Sequence, residues 1–314
     1  METGAVVDMS WLATRVDAIT GAAPISKPDT RSGTDSQRGD ISESQDTTNS
    51  NIDLDNSIDI NLDQLSIVDV RDTWEFEGIG HIPEAVNIPF DSFRSEAGDT
   101  GMLPERDDWE RLLTTAGIAK TDDIVAYDDT HGVFAARFLL TAEVYGHPPE
   151  KLHLLNGDYS AWNQAYNTIS GTGADTTHSS AYQATAQSDV SSSPLVGYET
   201  VRTAVDDPAA VLVDTRDPSE YAAGHLPGAI NLDWRAVVDD ETRGLKPPKE
   251  RKAIFDSAGI TSKTHVVLYC NTARRISHTY IVLRSLGYTD IDFYEGSLTE
   301  WRARDGALET EGTT

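Results

Sequence analysis

The sequence contains almost no cysteine: Cys270 is the only one in 314 residues. A single thiol excludes an internal disulfide framework and a cysteine-based zinc site within one chain. Long apolar runs are missing as well, since none approaches the roughly 18 residues that a membrane helix needs. Residues 1–4 lack the basic region that opens a signal peptide. We therefore expect a cytoplasmic protein, with no metal and no cofactor.

Positive charge is also scarce. The chain has 25 Lys and Arg residues against 52 Asp and Glu, a formal net charge of −27, and only seven of the 25 are lysine. Such a surface repels nucleic acid and anionic membranes, so neither is expected as a partner. An acidic, lysine-poor surface is typical of a salt-rich environment, where ions screen the self-repulsion. The alternative is an ordinary mesophilic protein with a disordered acidic tail.

The sequence is internally duplicated. Residues 67–90 and 211–234 both carry an apolar run, Asp-x-Arg, an acidic–aromatic pair and Gly-His-x-Pro. Two more pairs of segments match in the same order along the chain: 123–147 with 265–289, and 154–162 with 293–301. Matched blocks in the same order indicate two homologous domains of about 120 to 150 residues each, and not a solenoid.

Two segments stand outside the duplication. Residues 22–60 and 170–194 are rich in small and polar side chains and poor in apolar ones. They bury too little surface to offset the entropy cost of ordering. We predict a first domain at 1–169 with a disordered acidic insertion at about 22–60, a linker at 170–194 and a second domain at 195–314.

Short strand patterns alternate with helical patterns in each half. Apolar runs such as 123–127 and 265–269 are followed by segments with apolar residues at three- and four-residue spacing that end near glycine. This alternation predicts an α/β fold of two tandem domains. Each should be a mostly parallel sheet flanked by helices on both faces.

The position of Cys270 is informative. It follows the strand pattern at 265–269 and precedes a helical pattern that begins near Arg274 and Arg275. This places the thiol at the carboxyl edge of a parallel sheet, where open α/β folds bind ligands. Loop amides, the amino end of a helix and two arginines would favour a thiolate and hold an anionic substrate. The alternative is an inert, buried thiol. We interpret Cys270 as a nucleophile.

These motifs carry a resemblance to a known family. The chain resembles the two-domain rhodaneses, which are thiosulfate sulfurtransferases, over nearly all its length except the insertion and the linker. The specific motif, Asp-x-Arg followed by Gly-His-x-Pro-x-Ala, occurs twice. In that family the first domain is inactive, and the second carries a six-residue loop that begins with cysteine. Here Asp128 stands at the cysteine position of the first half, and residues 270–275 form the loop of the second.

The length of this loop bears on the chemistry. Phosphatases that share the fold use Cys-x5-Arg, a loop sized for phosphate. Here Arg275 follows Cys270 after four residues, and Ile276 comes next. The shorter Cys-x4-Arg loop favours a sulfane sulfur on the cysteine over a phosphoryl group.

The resemblance implies a reaction in two covalent steps through a Cys270 persulfide. Thiosulfate would donate the sulfur, and cyanide or a thiol would accept it. Cys270 and Arg275 are the candidate catalytic residues. The candidate substrate-binding residues lie in the loop and after a preceding strand: Asn271, Thr272, Ala273, Arg274, Trp234 and Arg235.

Two alternatives stay open. The donor could be 3-mercaptopyruvate, although the cationic loop favours thiosulfate and Glu220 replaces an arginine that vertebrate-type relatives have at that position. A non-enzymatic carrier could instead hold a persulfide on Cys270 for a sulfur-acceptor protein. Asp214, Arg216 and His225 recur in the inactive half, so we predict structural roles for them.

Overall fold

The computed structural model describes most of both halves. The described residues are 4–21, 60–95, 102–173, 181–185 and 193–311. The predicted insertion at 22–60, apart from Ile60, and most of the predicted linker at 170–194 lie outside these ranges. The predicted domain limits therefore stay predictions.

The first half alternates strands and helices. Its elements are β1 (Val6–Asp8), α1 (Met9–Thr20), β2 (Leu65–Asp69), β3 (Ala85–Asn87), α2 (Arg106–Thr115), β4 (Asp123–Tyr127), α3 (Val133–Val144), β5 (Leu152–Asn156) and α4 (Tyr159–Ala165). Short 3-10 turns connect some of them, at Leu62–Gln64, Phe90–Phe93 and Pro149–Lys151, and Glu75–Ile79 form a turn of π-helix.

The second half repeats this order, with a short helix in place of the π-helical turn and one added hairpin. Its elements are β6 (Leu195–Val196), α5 (Tyr198–Val205), β7 (Ala210–Asp214), α6 (Pro218–Ala222), β8 (Ile230–Asn231), β9 (Val238–Asp239), β10 (Gly244–Leu245), α7 (Pro248–Ser257), β11 (His265–Tyr269), α8 (Arg274–Ser285), β12 (Ile291–Tyr294) and α9 (Ser297–Ala303). A 3-10 turn at Trp234–Val237 leads into the added antiparallel hairpin of β9 and β10.

Each half forms one five-stranded sheet in which every pair of neighbours is parallel. The orders are β1-β5-β4-β2-β3 and β6-β12-β11-β7-β8. The central strand β4 is buried over its whole length and β11 at all residues but His265, as expected when helices cover both faces. The predicted fold class is confirmed. The carboxyl ends of β4 and β11 therefore point to matching loops in the two halves.

The two halves meet along α3 and α8, the helices that follow these loops. Both helices are buried almost all round, which is typical of a helix enclosed between packed layers. One apolar cluster includes Phe138 and Leu139 of α3 together with Ile276 and Ile281 of α8. Because each helix begins directly after its loop, their packing brings the two loops to the same interface.

Within the matched segments, the first half has two single-residue insertions relative to the second. Arg71 and His81 are one position further apart than Arg216 and His225, and the first half accommodates the extra residue as a turn of π-helix. The loop after β4 spans 128–132, whereas the loop after β11 spans only 270–273. The gapless match of 123–147 with 265–289 is therefore off by one residue beyond the loop.

One part of the predicted linker is anchored. Tyr182 is 2% exposed and lies in the core of the first half, where its ring stacks on His147. Its backbone N–H donates to Thr114 Oγ1 at 2.9 Å, and Ala184 N–H donates to Glu110 Oε1 at 2.9 Å. Composition alone did not reveal this anchor, because a single tyrosine in a polar segment barely changes the average.

Among the described residues, no helix combines the length and the apolarity needed to cross a membrane. The cytoplasmic location and the salt-rich environment stay predictions.

Candidate active site

Cys270 is the first residue after β11 and is 1% exposed. Its backbone N–H donates to Ser297 Oγ at 3.1 Å, and its carbonyl accepts from Leu298 N–H at 3.0 Å. The amino end of α9 thus holds the cysteine backbone on both sides. The thiol position is fixed by the fold.

The rest of the loop is equally constrained. The Asn271 carbonyl accepts from Thr299 Oγ1 at 2.8 Å. Ala273 adopts a left-handed backbone (φ 66°) directly before α8 and is completely buried. This turn reverses the chain tightly enough for α8 to begin only four positions after Cys270. The positive end of the helix dipole therefore lies beside the thiol.

A cavity of about 470 Å³ opens above the loop. Its lining includes most of the residues predicted from the sequence: Cys270, Asn271, Thr272, Arg274, Arg275, Trp234 and Arg235. Ala273 is placed differently, because its methyl group packs in the apolar core and its contribution is limited to the backbone. The structure thus brings the predicted residues together around one thiol.

Trp234 forms one wall of the cavity. It is 6% exposed and packs with Val133 and Val238 in a small apolar cluster. Arg235 lies against it, with the guanidinium carbon 5.1 Å from the ring centroid. Trp234 is therefore both a core residue and a cavity residue.

Five lining residues were not predicted from the sequence. Three come from the first half, at the loop and the start of α3: Thr130, Val133 and Phe134. The other two are acidic, Asp217 and Glu220. The duplication could have indicated the three first-half residues, because equivalent loops that precede two packed helices lie next to each other. The resemblance drew attention to Glu220, which replaces an arginine of vertebrate-type relatives, whereas no signal pointed to Asp217.

Glu220 is bound to the loop. Its carboxylate forms an ion pair with the Arg275 guanidinium, including a contact from Nη2 to Oε1 of 3.2 Å. Asn271 Nδ2 donates to the same Oε1 at 2.8 Å. The hydrogen bond from Arg275 lowers the pKa of Glu220 below its usual value, so Glu220 is an anion at neutral pH.

Asp128 occupies the matching loop of the first half. Its buried carboxylate accepts from four backbone N–H groups of that loop and helix start: Thr130 at 2.7 Å, Gly132 at 2.8 Å, Phe134 at 2.7 Å and Ala135 at 3.0 Å. This loop therefore holds its own anion. Burial raises the pKa of Asp128, and the four donors oppose that shift. A carboxylate cannot act as a sulfur nucleophile, as predicted for this position.

The Asp-x-Arg motifs form buried ion pairs in both halves. Arg216 Nε donates to Asp214 Oδ1 at 2.8 Å, and Nη2 donates to Oδ2 at 2.6 Å and to the Gly224 carbonyl at 2.7 Å. Arg71 makes the same contacts with Asp69, including an Nη2–Oδ2 distance of 2.6 Å. The pair is buried and duplicated, which supports the structural role predicted for Asp214 and Arg216.

The Gly-His turns are also duplicated. His225 Nδ1 lies 2.9 Å from the Tyr221 carbonyl, and its ring stacks on Tyr221. His81 repeats both contacts with Phe76, at 3.0 Å from its carbonyl. Each histidine contacts the helical turn before it and forms an isolated bridge to a residue near the end of its half, Ile169 or Glu309, and neither lines the cavity.

The hairpin of β9 and β10 joins the cavity wall to the first half. Arg243, between its strands, donates through Nε to Asp158 Oδ1 at 2.8 Å and through Nη2 to Asp129 Oδ1 at 3.3 Å. Leu245 N–H donates to Asn156 Oδ1 at 2.9 Å. Because the hairpin follows directly on Trp234–Val237, these contacts hold the tryptophan wall in place.

His278 lies behind that wall, with its ring centroid 5.2 Å from that of Trp234. It is completely buried. Burial lowers the pKa of His278 to about 3, and the neighbouring His131 and Arg251 act in the same direction. His278 is therefore neutral throughout the neutral range of pH.

This buried histidine should make the protein acid-sensitive. Because an unfolded histidine has a pKa of about 6.5, the unfolded chain takes up a proton that the folded chain does not. The contribution of His278 to stability is complete above that pH, and about 2 kcal/mol of it should be lost by pH 5. Urea unfolding at pH 7 and 5 measures the loss. His278→Phe keeps the contact with Trp234 and should lose less, by about that amount. Equal losses in both proteins would contradict this assignment.

The fold and the site together define a duplicated α/β protein in which one loop begins with Cys270 and the matching loop of the other half begins with Asp128. A family model described as "Rhodanese-like domain" matches residues 50–165 and 198–304. The chain belongs to the rhodanese-like family.

Similar proteins agree with this assignment. The chain is 30% identical over 257 residues to a thiosulfate sulfurtransferase of Pseudomonas aeruginosa, an alignment that covers 76% of this chain and 88% of that protein. It is 30% identical over 254 residues to a thiosulfate sulfurtransferase of Azotobacter vinelandii, with coverage of 76% and 88%. Among solved structures, a variant of EanB in complex with ergothioneine matches with a TM-score of 0.70 at 17% identity, covering 99% of this chain and 71% of that one. This last likeness concerns the fold alone.

Proposed function

We propose that the chain is a rhodanese-type sulfurtransferase that moves the sulfane sulfur of thiosulfate to cyanide or a thiol through a Cys270 persulfide. The observation that carries the proposal is the placement of Cys270 at the base of a cavity lined by Arg235, Arg274 and Arg275. A buried thiol beside a helix amino end, in a cavity that three arginines line, suits attack on an anionic sulfur donor. Relatives named thiosulfate sulfurtransferase support this choice of donor.

The first step forms the persulfide. The Cys270 thiolate attacks the outer sulfur of thiosulfate, the sulfur–sulfur bond of the donor breaks, and sulfite leaves with the bonding electron pair. Arg274 and Arg275 lie where they can bind the sulfonate end of the donor and stabilise the departing sulfite. The charge is conserved, since a thiolate and a dianion give an anionic persulfide and a dianion.

Asp128 indicates how the persulfide would be held. The first half shows that this backbone can direct several N–H groups at one anion. The loop of the second half has the same left-handed residue before its helix, Ala273 in place of Gly132. We infer that the loop amides around Cys270 surround the terminal sulfur in the same way.

The second step returns the enzyme to its starting state. Cyanide or a thiolate attacks the outer sulfur of the persulfide, and Cys270 leaves as a thiolate. A dedicated acceptor protein is the cellular alternative to a small thiol. The cavity is open enough for a small nucleophile to reach the sulfur.

Mass spectrometry of the intact protein tests the proposal. After incubation with thiosulfate and no acceptor, Cys270 should gain the mass of one sulfur atom, and cyanide should then remove it with formation of thiocyanate. Steady-state assays with thiosulfate plus cyanide and with 3-mercaptopyruvate plus a thiol then rank the two donors. If only a persulfide-bearing donor protein loads Cys270, the carrier function is correct and the proposal is wrong.

A further inference from the structure

The charges in the cavity are nearly balanced. Its charged lining residues are three arginines and two carboxylates: Arg235, Arg274, Arg275, Asp217 and Glu220. The formal sum is therefore +1 with Cys270 as a thiol and zero with Cys270 as a thiolate, so in neither state is a dianion fully neutralised. Asp217 caps α6 by accepting from Ser219 N–H at 2.8 Å. Glu220 instead points at the loop itself.

Glu220 is already paired with the guanidinium group that a donor would bind. Its carboxylate holds the Arg275 guanidinium through both of its oxygens, and one of them also accepts from Asn271. Both side chains of the pair are about one-third exposed, at 30% and 32%, so the pair faces the cavity and not the core. An anionic donor that binds Arg275 must displace this carboxylate or share the guanidinium with it.

The duplication provides a control for this arrangement. Glu75 stands four residues after Arg71, as Glu220 stands four after Arg216. Phe134 occupies the second position of α3, where α8 has Arg275. Accordingly Glu75 accepts from the backbone N–H of Asp72 at 3.2 Å, within its own turn. A glutamate at this position therefore suits the fold, and its pairing with an active-site arginine is a feature of the second half.

We propose that Glu220 is a specificity-determining residue that competes with the sulfur donor for Arg275 and disfavours dianionic donors more than monoanionic ones. The proposal rests on the proposed function only for the identity of the donors. Its physical basis is the repulsion between the Glu220 carboxylate and each negative charge of the ligand. A dianion such as thiosulfate feels this repulsion twice, and a monoanion such as 3-mercaptopyruvate at neutral pH feels it once.

Glu220→Gln tests the proposal because it removes the charge and keeps the shape. Calorimetry with Cys270→Ser as the background measures binding without turnover. The Glu220→Gln change should tighten thiosulfate binding about tenfold and 3-mercaptopyruvate binding about threefold at low salt. The fold-change for the dianion is thus about the square of that for the monoanion. Added salt should reduce both effects.

Glu75→Gln is the matched control, since it removes the same charge from the equivalent turn of the inactive half. It should leave the affinity for both donors unchanged. In the active protein, Glu220→Gln should lower the KM for thiosulfate with little change in kcat.

Three results would overturn the proposal. Equal changes for the two donors would mean that charge does not set the preference. Weaker binding or a lower kcat in Glu220→Gln would mean that Glu220 positions Arg275 for catalysis and does not compete. Unchanged affinities would mean that the pair has no effect on the donor. Failure of the wild-type protein to load sulfur would instead contradict the proposed function, and the binding measurements on Cys270→Ser would still decide the role of Glu220.

Discussion

Replacement of Cys270 with serine should lower sulfur transfer from thiosulfate to cyanide by at least about a thousandfold and leave the fold intact. A serine hydroxyl does not ionise near neutral pH and forms no persulfide, so the first covalent step is lost. The backbone of residue 270 is held by Ser297 and Leu298, and neither contact uses the thiol. Serine should therefore fit the buried position with little rearrangement.

The rate of thiocyanate formation tests this prediction. Thermal unfolding of the same sample shows whether the variant is folded. Thiosulfate should still bind Cys270→Ser, because Arg274 and Arg275 are unchanged. Loss of turnover with retained binding would separate the chemistry at the thiol from recognition of the anion. Sulfur transfer that survives in the serine variant would eliminate Cys270 as the carrier of the sulfur.

Much of this site could be predicted because the sequence is duplicated. Comparison of the two halves identified Cys270 as a thiol whose counterpart is Asp128, and it assigned structural roles to Asp214 and Arg216 because they recur beside the Asp128 loop. Parallel strands then fix where a loop residue must lie, since residues that follow adjacent strands share one edge of a sheet. The strand pattern of β11 and the helical pattern of α8 were therefore enough to predict where the thiol lies.

The remaining features depend on side-chain geometry across long sequence separations. Glu220 and Arg275 are 55 positions apart, and nothing in the spacing of either residue indicates that they pair. The first-half residues Thr130 and Phe134 enter the cavity only because α3 packs against α8. The extra residue in the 128–132 loop was not predicted from the sequence. The short segments on either side of it each align with the second half without a gap, so no gap was placed in the loop. A sequence pattern predicts on which face of a helix or strand a residue lies. It does not predict which residue of another element it contacts there.

The second large effect concerns the buried ion pairs, which should contribute to stability equally in the two halves. Asp69 and Asp214 are both completely buried, and each accepts from Nε and Nη2 of its arginine and from that residue's backbone N–H. Asp69→Asn and Asp214→Asn each remove the negative partner and leave a guanidinium enclosed without its counter-charge. Each should lower the free energy of unfolding by about 3 to 5 kcal/mol.

Equilibrium unfolding in urea measures both losses, and turnover per folded molecule tells a structural role from a catalytic one. Asp69→Asn should keep the wild-type turnover, since its arginine lies in the half that has no cysteine. Asp214→Asn should keep most of it, with any decrease limited to the contact between Arg216 Nη1 and Asn271 Oδ1 at 3.4 Å. An Asp69→Asn protein as stable as the wild type would contradict the ion-pair argument. A thousandfold loss of turnover confined to Asp214→Asn would instead make this carboxylate part of the reaction, because the duplication predicts that the two variants differ little.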